Sequence, residues 1–314
     1  MATEVSDASA ETEGQSRMAS VWETFEENRF SYLLIMPTLV FLVLLMWIPF
    51  LRGVWMTLYE WPFGGSPTWI GLENYASLLE WKPFYTAFKA TLWFSLTTAF
   101  QLLVALVAAL SVREISRFTK AITGIFLLAY TVPPLVTGTI WAYLLAPDLG
   151  PFFTLLTEWG VLSETIYWGT NGSASMAVIT FVTTWTFWPF MFLILSASLQ
   201  NIDEELYESA QIYGANRLQT FWNVTLPHMK SAILVAVSIR LIWNLTKVSQ
   251  VLQLTNGGPG YDTSVLAVLL YRFAYGRGQM GVAYTVGLVL FVVTIGFVFV
   301  FIREFEKASE EATA

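Results

Sequence analysis

The chain has 314 residues, 55% apolar and only 12% charged, with a net charge of −7; a soluble domain carries roughly twice that charged share. It has no cysteine and a single histidine, His228, which excludes disulfides, a thiolate nucleophile and a His- or Cys-based metal centre. No Gly-x-x-x-x-Gly-Lys-Ser/Thr run occurs, so any ATP the protein depends on is hydrolysed on another chain.

The chain opens on an acidic stretch over residues 1–30, with Glu4, Asp7, Glu11, Glu13, Glu23, Glu26 and Glu27 against Arg17 and Arg29. It reads as a solvated, disordered cytoplasmic tail, or as an acidic surface suited to a salt-rich cytoplasm. Either reading opposes nucleic-acid binding, which needs a basic face. Six apolar stretches follow that are long enough to span a bilayer, near Tyr32–Leu51, Ala87–Val112, Ala121–Leu145, Ala174–Leu199, Met229–Leu252 and Val282–Ile302. The first has an acidic leader and no small-residue cleavage site, so it reads as a retained helix and not a signal peptide. Together the spans make residues 31–302 a transmembrane domain, with a second acidic, cytoplasmic tail over 303–314.

An even number of spans puts both ends on one side. With the ends inside, the inner segments hold Arg17, Arg29, Arg113, Arg117, Lys120, Arg217, Lys230, Arg303 and Lys307, against Arg52, Lys82, Lys89, Arg272 and Arg277 outside. The excess of inner cations predicts cytoplasmic termini and a cytoplasmic 200–228 segment. In the outer loops, Gly64-Gly65-Ser66-Pro67, Pro147-Asp148-Leu149-Gly150 and Asn256-Gly257-Gly258-Pro259-Gly260 are turn chemistry, not strands. Trp55, Trp61, Trp69, Trp81 and Trp168 fit an interfacial aromatic belt. Asn171-Gly172-Ser173 has the form of a glycosylation sequon, a pattern short enough to arise by chance.

The polar insert between the fourth and fifth spans is the most informative segment. Asn201 is placed as an N-cap with Glu204 completing a capping box, and Asp203, Glu204 and Glu205 complement the helix dipole. Ile202, Leu206, Ser209/Ala210 and Tyr213 recur at helical spacing as one apolar stripe. Gly214 is the predicted helix stop, because it adopts the left-handed C′ conformation at little cost. A second short helix is expected over 216–224, and Leu226-Pro227 then starts the fifth span. An amphipathic helix here can lie on lipid or dock on a partner. Lipid-bound helices usually carry a basic polar face, and this one is acidic.

Arg240 lies about 13 residues beyond Pro227, roughly 20 Å into the bilayer at 1.5 Å per residue. Trp243, Asn244 and Lys247 share its helical face. Such a face lines a watery pathway or ties the bundle together. In the pathway reading, Trp243 stacks on solute, the Asn244 amide bonds it, and Arg240 and Lys247 set the electrostatics. Thr183, Thr184, Trp185 and Trp188 in the fourth span are further pathway candidates, with helix packing as the other reading.

The insert's Glu205-Leu206-Tyr207-Glu208-Ser209-Ala210, Gly214 and Leu226-Pro227 resemble the coupling motif of permeases of binding-protein-dependent ABC importers, in which Glu-Ala-Ala is followed by Gly and later by Leu-Pro. The chain is similar, in particular, to the first of the two paired permeases of the maltose and glycerol-3-phosphate type. Leu58-Tyr59-Glu60-Trp61, Gly71-Leu72-Glu73-Asn74-Tyr75, Pro133-Pro134, Pro147-Asp148-Leu149-Gly150, Pro189-Phe190 and Leu254-Thr255-Asn256-Gly257-Gly258-Pro259 occur in that family's order. Ser209 stands where Ala is usual, Tyr213 where Asp is frequent, and Val248-Ser249 where Phe-Asp is frequent.

The resemblance implies an all-α polytopic protein of the type I ABC importer permease fold, with Glu205, Glu208, Ser209, Ala210, Gly214, Leu226 and Pro227 coupling to an ATPase. It implies a second homologous permease, a dimer of ATP-binding subunits that holds ATP and Mg, and an extracellular substrate-binding protein, all within membrane lipid. The chain itself then has no cofactor and catalyses nothing. The solute class implied is a sugar, an oligosaccharide or a polyol phosphate. The alternatives are a self-contained secondary carrier or channel, which would need an ion site and usually internal repeats, and a polytopic membrane enzyme, which would need a nucleophile or metal set.

Overall fold

The structure, a computed structural model, describes residue 26 and residues 28–114 and 119–313. Most of the acidic 1–30 tail and Arg117 lie outside the described residues. By its contacts the chain divides into two units, residues 1–55 and 56–314.

The first unit contains helix α1, Arg29–Met56, which runs on one residue beyond it. A π-turn interrupts α1 at Val43–Trp47, just ahead of Pro49. A proline lacks the N–H for the i→i−4 bond and crowds the carbonyl four residues back. A local shift to i→i−5 bonding absorbs both effects without breaking the rod.

The second unit begins with a two-stranded hairpin in which Tyr59 of β1 (Tyr59–Glu60) faces Trp69 of β2 (Thr68–Trp69). The sequence marked the Gly64–Pro67 turn but not these flanking strands. Helix α2 (Glu73–Glu80) leads into α3 (Lys82–Arg113), the second predicted span. The third predicted span is not continuous. Helices α4 (Thr119–Thr131) and α5 (Pro134–Leu144) meet at 89°. Neither Pro133 nor Pro134 donates a helical hydrogen bond, and the residue before a proline is forced out of the α region, so the rod folds there. The short α6 (Pro151–Glu158) precedes α7, Gly172–Gln200, the fourth predicted span. Asn171 of the sequon caps α7, its Oδ1 accepting the Ala174 N–H at 3.0 Å.

Two helices follow α7 in sequence and form the elbow. Helix α8 is Glu204–Ile212, and α9 runs without a break over Arg217–Leu245. The expected second elbow helix is therefore the first part of the fifth span, joined to it by a π-turn at Phe221–Thr225. That turn precedes Pro227 at the same offset as the α1 π-turn precedes Pro49. The fifth span also ends earlier than the sequence predicts, at Leu245 and not Leu252. Thr246 turns its hydroxyl back onto the Ile242 carbonyl (3.1 Å), occupying the helix's last acceptors.

Helix α10 (Ser249–Thr255) ends on left-handed Asn256, and α11 (Leu266–Gly276) leads to α12 (Met280–Thr313). Helix α12 continues through the expected 303–314 tail, where Lys307 pairs with Glu304 at 2.8 Å. The described residues thus hold five unbroken membrane-length helices and one bent pair, six spans if the pair is counted as one. Helices α3 and α7 pack along their lengths and organise two apolar cores. One gathers Phe94, Ile179, Val182, Leu245 and Leu266, and the other Ala105, Met191, Phe192, Leu195 and Met229.

Candidate functional site

The elbow is built from its two ends. At the start, Asp203 occupies the N-cap position with no side-chain cap, so the capping box expected at Asn201 is absent. A complete capping box forms instead at Asn216 and Gln219, at the head of α9. Glu204, freed from capping, accepts from Arg113 Nη2 at 3.1 Å. The same guanidinium lies 3.7 Å over the ring of Tyr207. Tyr207 is buried, and its hydroxyl meets Thr225 Oγ1 at 3.2 Å. Arg113, Tyr207 and Thr225 therefore tie α3, α8 and α9 together. The sequence reading missed this group, although Glu204 and Tyr207 stand three apart on one helical face.

At the far end Gly214 has φ +76. Its N–H donates to the Gln211 carbonyl (2.9 Å) and the Ala215 N–H to the Ala210 carbonyl (2.9 Å). This is a Schellman ending, as the glycine predicts. The apolar stripe has a different phase from the one expected. Ile202 and Tyr207 turn inward, while Tyr213 is 88% exposed and Leu206 is also open. Tyr213 is the C-cap residue, where the helical phase no longer holds. Leu206, Ile212, Tyr213, Leu218 and Trp222 are exposed apolar side chains along the elbow. Glu205, Glu208 and Ser209 are exposed beside it, Ala210 and Leu226 are half-buried, and Pro227 is exposed.

The fifth-span stripe divides in two. Arg240 and Asn244 are fully buried. Arg240 Nε donates to Gln101 Oε1 (3.0 Å) and Nη2 to Asn244 Oδ1 (2.6 Å). Asn244 Nδ2 donates to Thr98 Oγ1 (2.9 Å) and Gln101 Oε1 (3.3 Å), and Gln101 Nε2 to the Thr183 carbonyl (3.2 Å). Asn244, expected to offer its amide to solute, has its carbonyl and amide group engaged within the chain. The knot joins α3, α7 and α9, and no carboxylate belongs to it. Phe187 offers its ring to both cations, with Arg240 Cζ at 4.5 Å and Lys247 Nζ at 4.0 Å.

The other half of the stripe is open. Trp243 is 41% exposed and leans on Phe190 at 4.8 Å, and Trp185 is 38% exposed against Trp141 at 5.4 Å. Trp188 packs between Phe126 and Phe192. The hydroxyls of Thr183 and Thr184 are buried with no hydrogen-bond partner among the described residues. Among those residues no group of His, Asp and Glu is placed to hold a metal.

These features define a polytopic α-helical membrane protein of the transport-permease class. Residues 101–305 match the family described as binding-protein-dependent transport system inner membrane component, and the chain belongs to that family. It is 29% identical to the trehalose/maltose transport system permease protein MalF of Thermococcus litoralis, over 89% of this chain and 94% of that one. It is 30% identical to the sn-glycerol-3-phosphate transport system permease protein UgpA of Escherichia coli O6:K15:H31, over 81% of this chain and 86% of that one. In fold it is similar to a crystal structure of a bacterial ABC transporter involved in the import of the acidic polysaccharide alginate. The TM-score is 0.79 at 23% identity, covering 92% of this chain and 99% of that one.

Proposed function

We propose that this chain forms part of the translocation pathway of an ATP-driven importer for a sugar, an oligosaccharide or a polyol phosphate. It works with a second homologous permease, a pair of ATP-binding subunits that carry ATP and Mg, and an extracellular solute-binding protein. The observation that carries this reading is the elbow. A helix stopped by a left-handed glycine is pinned to the bundle by Tyr207 and Arg113, and the elbow leaves apolar side chains exposed at Leu206, Ile212, Tyr213, Leu218 and Trp222. A rigid knob of this kind transmits a push, and the relatives named above are transport-system permeases. Glu205, Glu208, Ser209, Ala210 and Gly214 form the docking turn, and Leu226-Pro227 joins it to the fifth span.

In this reading both termini and the 200–228 segment are cytoplasmic. Trp185, Trp243 and Lys247 face the solute, and Arg240, Asn244 and Trp188 hold that face in place from behind. ATP-driven closure of the ATPase subunits moves the elbow, and the spans exchange inward and outward openings because the two states bind nucleotide and solute differently.

The Cys-free chain makes the arrangement directly testable. In sealed right-side-out vesicles, a membrane-impermeant maleimide should leave Ser209→Cys unlabelled until the membrane is opened. In opened membranes it should label Trp243→Cys and Lys247→Cys, but not Asn244→Cys. Labelling of Ser209→Cys from outside would invert the topology and remove the coupling role. Labelling confined to Asn244→Cys would reverse the assignment of open and buried halves.

A further inference from the structure

A cavity of about 580 Å³, lined by none of the fifth-span stripe residues, lies between the β1–β2 hairpin, α2 and the turn leading into α12. Its volume falls in the range of roughly 300–1,000 Å³ that small-ligand sites occupy. Its walls are fixed by local bonds. Buried Asn74 donates from Nδ2 to the carbonyls of Thr57 (2.7 Å) and Tyr59 (2.9 Å). The Phe63 N–H donates to the Gly278 carbonyl (2.6 Å), and the Met280 N–H to the Trp61 carbonyl (2.9 Å). Gly281 passes so close to Tyr59 O that a Cβ would not fit. The Gly71–Tyr75 motif noted in the sequence thus shapes this cavity through Asn74.

The lining combines two kinds of group. Trp61 and Trp81 supply aromatic surface, and Trp81 is held edge-on by Tyr261 (5.1 Å) and Phe273 (5.4 Å). Glu60, Glu73 and Arg277 supply polar atoms. The Glu60 and Glu73 carboxylates form no ion pair and accept no side-chain hydrogen bond among the described residues. Arg277 is oriented by its Nη2 bond to the Tyr261 hydroxyl (2.6 Å) and lies over a face of the Trp81 ring, 5.4 Å from its centroid. A preformed aromatic platform beside free carboxylate acceptors and an oriented guanidinium matches a ring that is apolar on its faces and hydroxylated around its edge.

We propose that this cavity is a saccharide-binding site for one or two pyranose rings, distinct from the fifth-span stripe. Trp61 takes the C–H face of the ring, and Trp81, beneath Arg277, backs the guanidinium. Glu60 and Glu73 accept hydrogen bonds from its hydroxyls, and Arg277 donates to one. Two carboxylates against one guanidinium favour neutral sugars over uronic acids. The assignment stands on the cavity's own chemistry and holds whether or not the stripe carries solute.

The test uses the full chain in lipid nanodiscs, where both faces are open, with Ser77→Cys reporting from the cavity's lining and Ser173→Cys from a separate cavity of about 390 Å³. Maleimide labelling rates are measured with glucose, maltose, trehalose and glucuronate, with sorbitol at matched osmolarity and with trilysine. At a sugar concentration ten times the dissociation constant, labelling at Ser77→Cys should slow about tenfold by mass action. Glucose, maltose or trehalose should give this protection more strongly than glucuronate does, and Ser173→Cys should not respond. Adding Trp61→Ala, or the isosteric and solvent-exposed Glu73→Gln, should abolish most of the protection. The assignment is overturned if no sugar protects, if sorbitol protects equally, or if protection survives both substitutions. Protection by trilysine alone would also overturn it, and would make the cavity a socket for a basic side chain of a protein partner.

Discussion

Gln101→Leu is expected to destabilise this protein more than removing the buried charge that Gln101 serves. Gln101 Oε1 accepts from Arg240 Nε and from Asn244 Nδ2. Leucine leaves a desolvated guanidinium short of an acceptor. A hydrogen bond to a charged group is worth about 1.5–3 kcal/mol, whereas a neutral interhelical bond in a membrane averages about 0.6 kcal/mol. The Arg240 contact therefore dominates, and the expected cost of Gln101→Leu is about 2–4 kcal/mol. Arg240→Met removes the charge itself and leaves the Asn244 Nδ2 to Gln101 Oε1 bond in place. Replacing a buried ionic group by an apolar one of similar length is often near neutral, so this variant should lose at most about 1 kcal/mol. Thermal unfolding of both variants in one detergent at one scan rate gives the comparison. The reverse order would mean that Gln101 does not hold the Arg240 charge.

Gly214→Val should uncouple the transporter without removing it from the membrane. A Cβ at Gly214 would meet nothing within 4 Å, so no clash is involved. The penalty is conformational. A left-handed backbone costs an ordinary residue about 1–2 kcal/mol, and a β-branched side chain is the least tolerant. Val should shift the Schellman turn and with it the exposed Ile212 and Tyr213 side chains. In the assembled transporter, solute-stimulated ATP hydrolysis should fall to near the unstimulated rate. Gly214→Asn should retain most of it, because asparagine enters the left-handed region readily. Equal behaviour of Val and Asn would show that this backbone conformation has no part in coupling.

The features legible in the sequence are those set by short-range physics. Apolar length gave the membrane helices, and the glycine requirement gave the turn at 214. The bend after Thr131 had a local signal in Pro133-Pro134, which was read as a motif and not as two missing donors. The phase of α8 was harder. Leu206 and Tyr213 are as available for burial as Tyr207 by sequence, and the partners that take Tyr207 inward, the Arg113 guanidinium and the Thr225 hydroxyl, come from other helices. The roles of Arg240 and Asn244 were open for the same reason. Their face is visible in the spacing, but their partners Gln101 and Thr98 lie more than a hundred residues earlier. No periodicity within α9 reports whether such a face meets water or a neighbouring amide.

In the proposed function, solute crosses along this chain by the work of a separate ATPase. This is tested most directly by uptake into proteoliposomes that hold this chain, its partner permease and the ATP-binding subunits, with the solute-binding protein outside. Radiolabelled sugar should accumulate only with ATP and Mg inside, keep accumulating when ionophores collapse every ion gradient, and stop accumulating with Gly214→Val in this chain. Accumulation by this chain alone, driven by an ion gradient and indifferent to ATP, would contradict it.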